Sequence, residues 1–244
     1  DDIIVSDNAQ LAALDLRELL ILLGRLVVDH NPHLVYASAE SMIAAHPPQV
    51  VCGLCWLAGA QICYDDTEYG ACKRDGFAPE HKDLCDWSVE IGCGACFEHS
   101  SCSYRDEDMD MPTIQVEHND ALTTFAIQDL FSVGGSVSVA HNPSLLGLYF
   151  EELDRVFGQV VIAYNNALRF VAAPLLENIF GGVLVSQNNN LVAAVFPNLN
   201  TVFDLAYYYT TPAFVAVTEN PRLELVDMSA LHNVTGHVDI VSNP

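Results

Sequence analysis

The apolar positions of this chain keep a fixed phase with one polar position. Between Val137 and Leu191 the same phrase appears three times: Val137 and Val139 before Asn142 and Leu145, Val160 and Ile162 before Asn165 and Leu168, and Val183 and Val185 before Asn188 and Leu191. These asparagines are 23 residues apart, and the phrase extends in the same register to Asn8, Asn31, Asn119, Asn220 and Asn243. Each has aliphatic residues five and three positions before it and, wherever the chain continues, a Leu three positions after it. Eleven positions after the Asn stand Leu19, Met42, Leu130, Leu153, Leu176, Leu199 and Leu231. Sixteen positions after it stand Gly24, Gly135, Gly158, Gly181 and Gly236, with Pro47 and Asp204 as the departures. A sustained period of this size is the mark of a solenoid.

The columns predict elements. Aliphatic residues two apart put one face of a short strand inward. The Leu columns fill an interior shared between successive coils, and about three short sides fit one period. Glycine at the coil corner is expected to supply positive φ. The asparagines, just past the strand, are expected to satisfy backbone groups at the bend and to stack as a structural ladder. Leu11 to Leu23 and Leu145 to Phe157 also place apolar residues at three- and four-residue steps, so a short helical turn on one side of the coil is an alternative.

Two interruptions break the period. From Asn31 to Asn119 the interval is 88 residues, 65 more than one period. The domain reading is therefore residues 1–46 as the first two coils, 47–111 as a cysteine-rich insertion, and 112–244 as coils three to eight of the same solenoid. The smaller interruption adds nine residues near Leu205 to Ala213 and carries Tyr207, Tyr208 and Tyr209, a candidate contact patch. Insertions in solenoids map to loops on one side, often the binding side.

The phrase, its period and the Gly before each new strand resemble the receptor L domain. This is the right-handed, leucine-rich-repeat-like β-helix of insulin- and EGF-type receptors and of fungal GPI-anchored cell-wall proteins. The resemblance covers residues 3–46 and 112–244. Ordinary leucine-rich repeats place the Leu two after the Asn, whereas here it is three after. The resemblance implies a mainly-β right-handed solenoid of about eight 23-residue coils, an extracellular or cell-surface location, and protein ligands on the sheet face and nearby loops.

Composition narrows the partners. The net charge of −23 argues against nucleic acid and anionic lipid and leaves basic proteins and cations. No apolar run approaches the ~18 residues of a membrane span. The first residues are already in repeat register, so no signal peptide is read there. Terminal coils of a solenoid need a cap. Further coils of the same polypeptide or copies of the chain in a filament are therefore expected as partners.

All eight cysteines, Cys52, Cys55, Cys63, Cys72, Cys85, Cys93, Cys96 and Cys102, lie in the larger insertion. An even, clustered set suggests disulfides. Cys52-x-x-Cys55 with Cys93-x-x-Cys96 is also a spacing that could clamp zinc. The resemblance to an extracellular family favours four disulfides. His30, His118 and His141 all precede a repeat Asn. If the insertion loops out they stack at about 4.8 Å; they are read as a column of solvated turn residues, with no metal site expected, the alternative being a metal-binding or pH-sensing column. The acidic runs Asp65, Asp66, Glu68 and Asp106, Glu107, Asp108, Asp110 lack calcium-loop spacing. Asn233-Val-Thr235 is a glycosylation sequon.

No nucleophile elbow, zinc-protease motif or phosphate loop is present. No cofactor is expected, and the reading is a non-enzymatic module for protein binding, adhesion or structural assembly. The alternative is a β-helix carbohydrate-active enzyme using Asp29 and Glu117, neighbours across the insertion in the outward column two before the Asn.

Overall fold

The computed structural model describes residues 2–45, 112–203 and 213–244. Wherever the paired aliphatic residues fall, a strand forms. The longest sheet runs Ile3–Ser6, Leu26–Asp29, Pro112–Glu117, Ser136–Ala140, Val160–Ala163, Gly182–Ser186, Phe214–Thr218 and His237–Val241. Its neighbours are parallel and follow that order. Two seven-stranded parallel sheets complete the stack. They are built from segments such as Gly147–Tyr149 and Phe170–Ala172 in one, and Arg155–Val156 and Asn178–Ile179 in the other. The chain visits the three sheets in rotation, giving a mainly β, solenoid-like fold. No helix occurs among the described residues, so none there is long and apolar enough to cross a membrane.

Register equals the sequence period. Val137 pairs Val160, which pairs Val183. The interruptions leave this unchanged: Leu26 pairs Ile114, and Val183 pairs Val215. Both interruptions leave the stack at the same corner, between the third-sheet strand of one turn (Ala44–Ala45, Thr201–Val202) and the long-sheet strand of the next. That is the corner of the Gly column, and in the sequence the two departures from that column, Pro47 and Asp204, fall at the two interruptions. The larger segment rejoins through a β-bulge. Pro112 faces Ser136 and Ile114 faces Val137, leaving Thr113 as the extra residue.

One turn shows how the interior is filled. Val137, Val139, Asn142, Leu145, Leu148, Phe150, Leu153 and Val156 are all buried. Their spacing after the Asn, with gaps of 3, 3, 2, 3 and 3 residues, imitates a helix and explains the helical alternative. It arises instead from two tight turns around a short strand. The Leu amide three after each Asn donates to that Asn's carbonyl, as Leu145 does to Asn142 at 3.1 Å. A second turn of the same size closes at the next corner, where Leu199 donates to the Phe196 carbonyl at 3.1 Å.

Positive φ falls elsewhere than expected. The residue before each Asn is left-handed, and none of the eight is glycine: Asp7, His30, His118, His141, Tyr164, Gln187, Glu219 and Ser242 have φ between 52° and 59°. Gly158, Gly181 and Gly236 are not left-handed. They stand where turns press together, since a Cβ on Gly181 would lie 2.7 Å from the Gly158 carbonyl carbon. The Gly column is thus set by close backbone stacking.

The asparagines hold the left-handed corners. Each side-chain Oδ1 accepts the backbone N–H of the preceding turn's Asn, at 2.9–3.1 Å, from Asn8→Asn31 to Asn220→Asn243. Each Nδ2 from Asn31 onward donates to a strand carbonyl of the preceding turn, as Asn165 does to Val139 at 2.8 Å. Many also donate to their own strand, as Asn142 does to Ala140 at 2.9 Å. A left-handed non-glycine residue costs about 1–2 kcal/mol. Three hydrogen bonds at about 0.5–1.5 kcal/mol each outweigh it. The ladder runs unbroken across both interruptions, through Asn31→Asn119 and Asn188→Asn220.

Asn165→Ala would leave the buried Asn142 N–H without its partner and remove one of the hydrogen bonds to the Val139 carbonyl, which stays in the parallel ladder. One orphaned N–H at about 1–3 kcal/mol and one lost hydrogen bond at about 0.5–1.5 kcal/mol predict a loss of about 1.5–4.5 kcal/mol. Leu168→Ala should cost about 2–5 kcal/mol. Denaturant unfolding checks both, and a loss below about 1 kcal/mol for either would contradict the register.

Candidate functional site

The ladder turns the residue before each Asn outward, so this corner displays a column of eight side chains on a rigid rail. In it His30, His118, His141 and Tyr164 stack ring on ring. The centroids are 4.5, 4.8 and 4.4 Å apart, with planes within 15° of parallel. His30 and His118 are consecutive in the stack although the sequence separates them by 88 residues. Sequence reasoning missed Tyr164. Its signal was present, because Tyr164 precedes Asn165 as the histidines precede their asparagines, but a search by residue type for titratable groups passes over a phenol.

Asp29, the last strand residue before the second corner, binds two imidazoles. The His30 Nδ1 is 2.8 Å from Asp29 Oδ2 and the His118 Nδ1 is 3.1 Å from Asp29 Oδ1. The hydrogen bond to Asp29 and the charge of that carboxylate raise the His30 pKa above its ordinary value, and Asp7 and Asp120 add to the effect. Glu117 is the register partner of Asp29 on the long sheet. Its carboxylate is engaged by Gln115 Nε2 at 3.1 Å and by the Ser138 hydroxyl in a short contact. Gln115 and Ser138 also escaped the sequence reading, since nothing in the period singles out the position four before the Asn.

The remaining expectations fall as follows. The asparagines from Asn31 to Asn220 are buried and their side-chain amides point into the stack, as hydrogen-bonding rungs. Asn233 is exposed on the short strand Asn233–Val234, where a glycan would meet no covering element among the described residues. Ala140 and Ala163, expected on an open outer face, are buried. Ser138, on the same face, lies in register between the longer Gln115 and Val161. The eight cysteines, Tyr207 to Tyr209 and both acidic runs lie outside the described residues. No protein-family model, curated protein or solved structure matches the chain.

The folded chain holds the His30 proton more tightly than the unfolded chain does. Its contribution to stability is therefore present below the ordinary imidazole pKa, about 6.5, and fades as pH rises through the raised value. Asp29→Asn removes the main cause, so the His30 titration midpoint, followed by NMR of its ring protons, should fall. An unmoved midpoint would contradict the pairing.

Proposed function

We propose that the chain is a non-enzymatic extracellular module for protein binding, adhesion or structural assembly. On this reading it is a right-handed solenoid of about eight 23-residue turns of the receptor L-domain kind. The observation that carries the reading is the common exit corner of the two interruptions. A uniform scaffold, with its corner polar groups satisfied internally, releases both added segments from one side without losing register. Solenoids that serve as recognition platforms carry their variable segments in this way.

On the same reading Cys52 to Cys102 pair as four disulfides, Asn233 carries a glycan, and Tyr207, Tyr208 and Tyr209 form part of the contact surface. The partners are proteins, either other species with basic surfaces suited to the chain's charge of −23 or further copies and coils of the same solenoid.

The second reading is a carbohydrate-active enzyme. It is supported by the register pairing of Asp29 with Glu117. Against it, both carboxylates are occupied by neighbouring side chains.

Two measurements separate the readings. Intact mass of the native protein should fall short of the fully reduced mass by about 8 Da, two hydrogens for each of four bridges. Surface-impermeant cross-linking on intact cells should capture partner proteins that are lost when Tyr207, Tyr208 and Tyr209 are replaced by Ser. Free thiols, unchanged capture, or polysaccharide cleavage abolished by Asp29→Asn or Glu117→Gln would overturn the module reading.

A further inference from the structure

The repeat makes all eight corners alike in backbone, so backbone geometry alone does not single out any of them. Side-chain identity does. Before the left-handed residue stand Ser6, Asp29, Glu117, Ala140, Ala163, Ser186, Thr218 and Val241. Two corners place a carboxylate directly before an imidazole whose next neighbour in the stack is a second imidazole: Asp29 before His30 and His118, and Glu117 before His118 and His141. At the third corner the Glu117 carboxylate is taken by Gln115 and Ser138, whereas at the second the Asp29 carboxylate meets both imidazoles. One donor atom from each of Asp29, His30 and His118 lies within 4.8 Å of the other two. We propose that Asp29, His30 and His118 form a surface site for a borderline divalent cation of the zinc and copper class. The two imidazoles would bind through Nδ1 and the carboxylate through one oxygen, with the remaining positions open to water or an incoming donor.

Three observations carry this beyond a chance cluster. The first is distance. A tetrahedral ion with bonds of about 2.0–2.1 Å separates its ligand atoms by about 3.3 Å. Here the contacts of 2.8 and 3.1 Å run to different oxygens of Asp29, Oδ2 for His30 and Oδ1 for His118, so each imidazole faces its own carboxylate oxygen, and a set with one donor atom from each residue spans at most 4.8 Å. The second observation is rigidity. His30 and His118 each precede a fully buried ladder Asn. Their own amides are tied to the next turn, His30 N–H to the Glu117 carbonyl and His118 N–H to the Ala140 carbonyl, both at 3.3 Å. The ligands therefore hang from fixed points and little ordering is left for the ion to impose. The third is access and charge. Both imidazoles are largely exposed while Asp29 is mostly covered. The ion would thus rest on an anchored carboxylate and face solvent. Asp7 and Asp120 lie near enough to His30 to favour positive charge there.

The donor set selects the ion. Imidazole nitrogen suits zinc, copper and nickel, whereas calcium and magnesium take oxygen ligands almost throughout. His141 supplies the control. It stacks on His118 at 4.8 Å but contributes no atom to the group. A column that binds metal through histidines in general would need His141 as much as His118. The proposed site does not need it.

The test uses the full 244-residue chain with all thiols blocked, so that cysteines cannot compete. Zn2+ binding is measured by calorimetry, and Cu2+ binding by electron paramagnetic resonance, in which coupling to nitrogen counts the imidazoles. One ion should bind, and the Cu2+ spectrum should show two nitrogens in the parent chain and one in His118→Ala. Asp29→Asn and His118→Ala should each weaken Zn2+ by more than the ~10-fold that losing even an outer partner of a metal ligand costs. His141→Ala should stay within about twofold, well below that outer-partner cost. Circular dichroism and the unfolding midpoint of each variant establish that it remains folded. Three results would overturn the site: no binding below millimolar Zn2+, a copper spectrum that keeps two nitrogens in His118→Ala, or equal losses in His141→Ala and His118→Ala.

Discussion

The structure depends on a buried amide. An asparagine just past each long-sheet strand sits in the interior, where an unpaired amide would be costly. It escapes that cost only if the neighbouring turns stand in one register, because its oxygen needs the N–H of one Asn and its nitrogen needs a strand carbonyl of the same turn. Apolar columns fill volume but tolerate slippage, since Leu on Val and Leu on Leu differ little in area buried. The amide does not tolerate it: a shift of one residue orphans several groups at once. Hydrophobic burial thus drives collapse, and the ladder selects which turn meets which.

This division of labour accounts for the interruptions. A segment of any length can leave between two rungs if its ends return to within one turn of each other, since closure entropy grows only logarithmically with length. The exit corner is also where successive backbones come close, since a Cβ on Gly181 would lie 2.7 Å from the Gly158 carbonyl carbon. At the left-handed corner the backbone is held on both sides by ladder bonds, and the side chains alone vary, from Asp7 through the imidazoles to Ser242. The fold is therefore constant where the Asn sits and free in composition one residue earlier. Chemistry concentrates at that outward column.

Much of this was legible in the chain itself. The 23-residue phase of Val137, Val160 and Val183 is the register of the long sheet, and the three-sided turn follows from the length of the period. The nearness of His30 and His118 was legible too, once the intervening segment is taken as looped out. Other features were hidden for physical reasons. Glycine is the usual residue for positive φ, so the eight non-glycine corners gave no signal by type. Their signal is positional and appears only once the Asn is known to carry the strain. The columns six, eight and fourteen after the Asn mix residues as different as Ala173, Phe150 and Met228. Neighbouring turns compensate one another's volume there, so no single residue type marks the core. The pairing of Asp29 with two imidazoles needed side-chain geometry that a linear pattern does not contain.

The direct test of the ladder is a scalar coupling measured through its longest rung. In a deuterated, isotope-labelled sample, magnetisation can pass across a hydrogen bond from the Asn31 backbone nitrogen to the Asn119 side-chain carbonyl carbon, two residues 88 positions apart. The ladder predicts a resolved trans-hydrogen-bond coupling between these nuclei, together with an Asn31 amide that exchanges with solvent as slowly as the core strands. A rapidly exchanging Asn31 amide with no coupling to Asn119 would contradict it.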